Sequence, residues 1–171
     1  MTAAFVGVGS NIGPEVHVVE GLRRLGVVVR LAAVSTFYRT APLGARGAPA
    51  FANGVVRVET ELGPRALQFE VLRGIEAGLG RVRGSDRNAP RTLDLDLLLW
   101  GEAVVCEPDF RLPAPELLER AFVALPLLEL APGLVLPGDG RSLAEVARGM
   151  TTGGMEPLPE LTRRLRMEVL G

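Results

Sequence analysis

The run RTLDLDLLLW at residues 91–100 constrains this chain more than any other segment. Side chains alternate across an extended strand, so Asp94 and Asp96 share one face while Leu93, Leu95, Leu97 and Leu99 share the other. The leucine face must be buried and the aspartate face must remain reachable by water. The chain therefore has to build a sheet with a packed layer against one side and an open side where two carboxylates sit together. Like charges at that spacing repel, and a hard cation relieves them. Mg²⁺ suits such a pair, because it takes one or two carboxylates and fills its remaining positions with water and phosphate oxygens. The competing reading is that both aspartates simply pair with surface arginines.

Upstream of that strand the pattern reads as strand, helix, two strands and a second helix. Residues 3–9 are β-prone and stop at a Gly-Ser-Asn turn, after which Pro14 sits where a helix favours its first residue. The spacing of Val18, Leu22 and Leu25 predicts a helix to about Leu25 with Gly26 as its C-cap. Val27 to Val34 reads as a strand, the Pro- and Gly-rich stretch 41–50 as a loop, and Phe51 to Thr60 as a third strand. Pro64 opens a second helix with an apolar stripe through Leu67, Val71, Leu72, Ile75 and Leu79, closed by Gly80.

The order β-α-β-β-α-β is that of an α+β ferredoxin-like sandwich, with helices on one face of an antiparallel sheet and the other face left open. Additional C-terminal helices are expected over 116–130 and 143–148. The domain is read as residues 1–148, followed by a tail, 149–171, of linker and docking helix from about Glu160.

Charge and composition narrow the chemistry. The formal net charge of −1 provides no overall field for nucleic acid or anionic lipid. No lysine occurs, so all 19 Lys+Arg positions are arginine; a Schiff base and a Walker-type lysine are both excluded, and phosphate chemistry has to rest on Arg. Four of these, Arg81, Arg83, Arg87 and Arg91, fall in a polar loop just before the aspartate strand. Guanidinium forks match phosphate oxygens, so this loop is suited to fold over a polyphosphate; a solvated loop is the plain alternative. The single histidine, His17, reads as solvated, and it excludes histidine-built triads and metal sites within one chain. Cys106 is alone, which fits a reducing compartment and a small buried thiol. Gly7, Gly9 and Gly13 do not form a dinucleotide fingerprint, since Ile12 stands where that pattern needs glycine; they read as turn and strand-to-helix packing positions.

The segments VGVGSNIG (6–13), STFYRTAPLG (35–44), PAFANGVV (49–56), IEAGLGRVR (75–83), PRTLDLDLLLWG (90–101) and ERAFVALPLLELAP (119–132) together resemble the 6-hydroxymethyl-7,8-dihydropterin pyrophosphokinase family, over about residues 1–148. The resemblance implies Mg-dependent transfer of pyrophosphate from ATP to a pterin alcohol, by in-line attack on the β-phosphorus with release of AMP. It implies two Mg²⁺ ions held by Asp94 and Asp96. Asn53 would read the polar edge of the pterin, Phe51 and Phe122 would sandwich its ring, and Thr40, Pro42 and Leu43 would complete the pocket. Arg81 and Arg91 would clamp the ATP phosphates, with Glu76, Arg83, Arg87, Leu97 and Arg120 also at the nucleotide. Two positions depart from the family pattern: Pro113-Ala114-Pro115 replaces Pro-His-Pro or Pro-His-Tyr, and Asn88 stands where some members carry Trp.

The expected acting unit is a cytoplasmic monomer or weak homodimer, with small-molecule substrates and no nucleic-acid or membrane partner. The alternatives are another Mg-dependent nucleotidyl- or phosphotransferase on the same fold, and a degenerate non-catalytic binding module. Phe51, Asn53 and Phe122 discriminate against the first and the retained aspartates against the second.

Overall fold

The structure, a computed structural model, describes residues 1–41, 49–80 and 92–170. The first strand, β1 (Thr2–Ser10), leads through a left-handed Gly13 into α1 (Pro14–Val28). Short strands β2 (Arg30–Val34) and β3 (Tyr38–Thr40) precede the long β4 (Phe51–Thr60). Helix α2 starts at Pro64, is π-helical over Ala66–Leu72 and α-helical over Arg73–Gly78. Strand β5 (Asp94–Trp100) is followed by the hairpin β6 (Val105–Glu107) and β7 (Phe110–Leu112). The remainder comprises α3 (Glu116–Glu119), α4 (Ala121–Leu130), α5 (Leu143–Arg148), β8 (Glu156–Pro157) and α6 (Pro159–Val169). Among the described residues no helix is long and apolar enough to cross a membrane.

The main sheet is antiparallel throughout, ordered β5-β1-β4-β3-β8, with β2 also paired to β4. Alternation decides what each face carries. Val6, Val8, Val56, Val58, Leu95 and Leu97 point one way, into a core closed by Val18, Leu22 and Leu25 of α1, Leu67, Leu72 and Ile75 of α2, and Leu161 and Leu165 of α6. Each of these side chains contributes about 1.5–3 kcal/mol by leaving water, which is why the apolar stripes of α1 and α2 settle on this face.

The opposite face is not left open along its whole length, as the alternation and the element order suggested. A second core forms there, where Val55, Leu98 and Leu99 pack with Ala114, Leu117, Ala124, Leu127, Leu136 and Leu143. Segments after β5 fold back over the lower part of the sheet, and the helices lie on both sides. The expected parity of the leucines also breaks once. Phe5 pairs with Leu99 but Val6 pairs with Leu97, so Leu98 is an extra residue in a β-bulge, and Leu99 turns to the second core instead of joining Leu93, Leu95 and Leu97.

Other boundaries differ for local reasons. Helix α1 runs through Gly26 to Val28, because Leu31 packs 3.3 Å from where a Cβ on Gly26 would stand and the small residue serves contact rather than termination. The single helix expected over 116–130 is two, α3 and α4, divided at Arg120, whose backbone is extended. Cys106, expected to be buried, is exposed on the β6–β7 hairpin.

Gly54 carries a packing constraint that its neighbours depend on. A Cβ there would fall 2.5 Å from two ring carbons of Phe37, which is itself fully buried. Neither the ring nor the strand can retreat, so Gly54→Ala is expected to destabilise the fold by about 1–3 kcal/mol, with Phe37→Leu in the same chain recovering part of it. Urea unfolding of the single and double variants measures both.

Candidate active site

Strand register brings the predicted residues into rows on the face opposite α1. Asp94 pairs with Gly9, and Gly9 pairs with Asn53; one step along, Asp96 pairs with Gly7, and Gly7 with Val55. Neighbouring strands lie about 4.8 Å apart, so the backbones of Asp94 and Asn53 are separated by roughly 10 Å with only a glycine between them. Gly7 and Gly9 therefore lie within β1 between β4 and β5, Gly9 one residue from the end of the strand. A Cβ on Gly9 would lie 2.7 Å from Asn53 Oδ1, so the missing side chain is what allows the Asn53 amide to lean over β1, with the Phe51 ring 3.9 Å from the same point.

Asn53 is fixed from the other side. Its Nδ2 donates to Thr40 Oγ1 at 2.7 Å, and Thr40 is held beside it because β3 pairs with the start of β4. Helix α4 lies on this same side of the sheet, since its Ala124 and Leu127 pack with Val55. Its first turn carries Phe122, partly buried, with the guanidinium of exposed Arg120 5.8 Å from the ring centroid. Asn11, nearly fully buried, donates to the Pro49 carbonyl, and His17 donates from Nδ1 to the Ile12 carbonyl, so both tie down the turn after β1. His17 is thus a turn-bracing group rather than a merely solvated one.

Among the described residues the outer edge of β5 has no strand partner, and α2 supplies one in side chains. Glu76, 1% exposed, accepts from the Leu95 backbone N–H at 2.7 Å, and Gln68 accepts from the Leu97 N–H at 2.8 Å. Arg73 donates to the Leu95 carbonyl at 2.9 Å, to Glu76 at 3.1 Å and to Asp96 Oδ1 at 3.2 Å. An unpaired backbone group in such a place would be costly, so these three side chains do for β5 what another strand would do. Glu76 and Leu97 had been expected at the nucleotide. In the structure Glu76 holds the strand that carries the aspartates, and the Leu97 side chain lies in the helix-side core. Gln68 and Arg73 were not singled out by sequence. The only signal was a polar residue inside an apolar helical stripe and an arginine three positions before Glu76.

Arg81, Arg83, Arg87, Arg91, Pro42 and Leu43 lie outside the described residues. Ala114 is 5% exposed, its methyl in the second core and its N–H donating to the Leu98 carbonyl, so a histidine introduced there would first have to displace packed side chains. Among the described residues no cluster of three or more His, Cys, Asp or Glu side chains could hold a metal by itself. Asp94 and Asp96 offer hard oxygens from one face of one strand, which fits a cation completing its shell with water and phosphate.

The edge clamp predicts an ordered loss of stability. Glu76→Ala leaves the Leu95 N–H and Arg73 without their buried acceptor and should cost about 3 kcal/mol, whereas Glu76→Gln, which keeps an acceptor, should cost about half of that. Denaturant titration distinguishes the two, and equal losses would show that the carboxylate's hydrogen bonds to β5 do not matter.

Comparison with known proteins identifies the family. The family described as 7,8-dihydro-6-hydroxymethylpterin-pyrophosphokinase (HPPK) matches residues 5–132. A 2-amino-4-hydroxy-6-hydroxymethyldihydropteridine pyrophosphokinase from Pseudomonas aeruginosa is 42% identical over 159 residues, covering 91% of this chain and 96% of the relative. Its counterpart from Methylorubrum extorquens is 40% identical over 159 residues, covering 91% and 98%. The crystal structure of Plasmodium falciparum HPPK-DHPS wild type with SDX-DHP superposes with a TM-score of 0.62 at 12% identity, over 86% of this chain and 43% of that longer one, and speaks to the fold alone. With one family matched across most of the sequence and relatives similar over nearly their full length, the chain belongs to the 7,8-dihydro-6-hydroxymethylpterin-pyrophosphokinase family.

Proposed function

We propose that the Asp94–Gly9–Asn53 row is the axis along which this ATP-dependent pyrophosphokinase of folate biosynthesis works. The nucleotide lies at the aspartate end and the pterin at the asparagine end. The reaction moves the terminal pyrophosphoryl group of ATP onto the hydroxymethyl oxygen of 6-hydroxymethyl-7,8-dihydropterin and releases AMP. The row is the single observation that carries this assignment: its roughly 10 Å span is one that a bicyclic heterocycle and its hydroxymethyl arm can bridge.

At the pterin end, Asn53 offers an amide oxygen and nitrogen to a ring edge that is itself both donor and acceptor. Its contact with Thr40 Oγ1 commits one of its N–H groups and so fixes which way the amide faces. Phe51 and Phe122 supply flat apolar faces for the ring, and Thr40, Pro42 and Leu43 the wall beside it. At the nucleotide end, Asp94 and Asp96 are the groups that would hold Mg²⁺, two ions in this reading. There the metal would neutralise phosphate charge and fix the polyphosphate for in-line displacement. Arg81 and Arg91, with Arg83, Arg87 and Arg120 as helpers, contribute further positive charge to the phosphates. Glu76, Gln68 and Arg73 keep β5 from shifting while that charge is redistributed. Phosphoryl transfer depends mainly on such positioning, and preorganised charge need not reorient as the reaction proceeds.

Several coarser features support finer readings. The strand order β5-β1-β4, then β3 with β2 also on β4, supports a ferredoxin-like description of the sheet, with additional helices after β5. The lone exposed Cys106 supports a reducing, cytoplasmic setting, and a monomer or weak homodimer suffices for a site built from one chain.

Purified protein mixed with Mg²⁺, ATP and 6-hydroxymethyl-7,8-dihydropterin should release AMP in step with loss of ATP. Asp94→Asn and Asp96→Asn should each lower turnover by at least about a hundredfold with the fold retained, since an amide oxygen at position 96 can still accept from Arg73. Wild-type-like turnover in both variants would remove the aspartates from the mechanism.

A further inference from the structure

The family match ends at residue 132, yet the C-terminal segment is built into the wall of the pterin end. Strand β8 pairs with β3 on the edge opposite β4, through Tyr38 with Pro157 and Arg39 with Glu156. A three-residue strand is thereby held on both sides. Just before it, Phe37 is gripped by both of its backbone groups: its N–H donates to Thr162 Oγ1 at 2.9 Å, and its carbonyl accepts from the Leu158 N–H at 2.8 Å. Thr162 is 4% exposed, and its hydroxyl donates onward to the Leu158 carbonyl at 2.9 Å, so the hydroxyl has a defined donor and a defined acceptor role.

Phe37 passes this grip to β4. Its ring fills the space over Gly54, directly beside Asn53 in sequence, while the next residues, Tyr38 to Thr40, pair with Asn53, Ala52 and Phe51. Thr40 at the end of that strand receives the Asn53 amide. A second tie runs in parallel: Glu129 of α4 accepts from the Thr36 N–H and hydroxyl, both at 2.8 Å, and Arg166 of α6 donates to the Val34 carbonyl at 3.0 Å. The connection between β2 and β3 is thus anchored from α6 and from the helix that carries Phe122.

We infer that the segment 156–170 positions the pterin half of the site, and that Thr162 is its principal positioning residue, acting through Phe37 and β3 on Thr40 and Asn53. The inference rests on the pterin reading of Asn53. Losing the Thr162 hydroxyl leaves the Phe37 N–H unpaired in a buried place, frees β3 to shift against β4, and relaxes the Thr40 contact that orients the amide. The aspartates on β5 lie on the far side of β1 and are untouched.

The test follows AMP formation by the full chain while each substrate is varied in turn. Thr162→Val should raise KM for the pterin alcohol about threefold to tenfold, the weight of one ordinary hydrogen bond, with KM for ATP changed less than about twofold. Thr162→Ser should restore the wild-type value, because it keeps the hydroxyl. Asn53→Ala is the control: if it leaves the pterin KM unchanged, the pterin reading fails and the inference falls with it. If Asn53→Ala raises that KM but Thr162→Val does not, or raises both substrates' KM equally, the inference alone is overturned. Should Thr162→Val fail to fold, amide exchange in the wild-type chain decides. Protection at Phe37 to Arg39 and at Leu158 should rise together on adding the pterin substrate, and a rise confined to β3 with Leu158 unchanged would overturn the positioning role.

Discussion

The antiparallel pairing of β1 with both β4 and β5 is the constraint on which the rest of this protein depends. It places a strand without side chains on its upper face, at Gly7 and Gly9, between a strand of carboxylates and a strand carrying an amide and an aromatic ring. In the function proposed, the two reactants would lie across the Gly9 step of this lane at backbone level, with no side chain of β1 between them. A single methyl on Gly9 would press on Asn53.

Holding that lane steady requires that neither outer strand drift, and the two sides solve the problem differently. On the β5 side the bracing is polar: a buried carboxylate, an amide and a guanidinium from α2 satisfy an edge that no strand among the described residues covers. Burying Glu76 carries a desolvation cost, which its paired arginine and backbone partner offset. On the β3 side the bracing is by backbone pairing, with the segment after α5 returning to add β8. Apolar burial by Leu161 and Leu165 secures that return, so the C-terminal helix shares the core of the sheet it reinforces.

Much of this was legible in the sequence, and the reasons are local. Strict alternation around Asp94 and Asp96 fixes their common face, and the proline and glycine punctuation at Pro14, Pro64 and Gly80 marks helix ends through backbone geometry alone. The Leu98 bulge was not legible, because a run of three leucines has no parity to read and only pairing with Phe5 and Val6 decides which one is extra. Gly26 was misread because close helix-strand contact and helix termination select the same residue. The second core was hidden for a similar reason: Ala124 and Leu127 form a stripe that names no partner until the sheet exists. For the site, the charged and aromatic residues announce themselves by type. Gln68, Arg73 and Thr162 act by meeting particular backbone groups, and no pattern in one dimension encodes which groups those are.

The bulge at Leu98 also separates two tolerances within one strand. Residues before it keep a parity that sends carboxylates to one face, while residues after it answer to the second core. The extra residue absorbed at that point lets the downstream half of β5 turn Leu98 and Leu99 toward the second core without inverting the upstream half. One strand thus serves two layers at once: its upstream half answers to the helix-side core and presents the row of aspartates, and its downstream half answers to the helices packed on the opposite face.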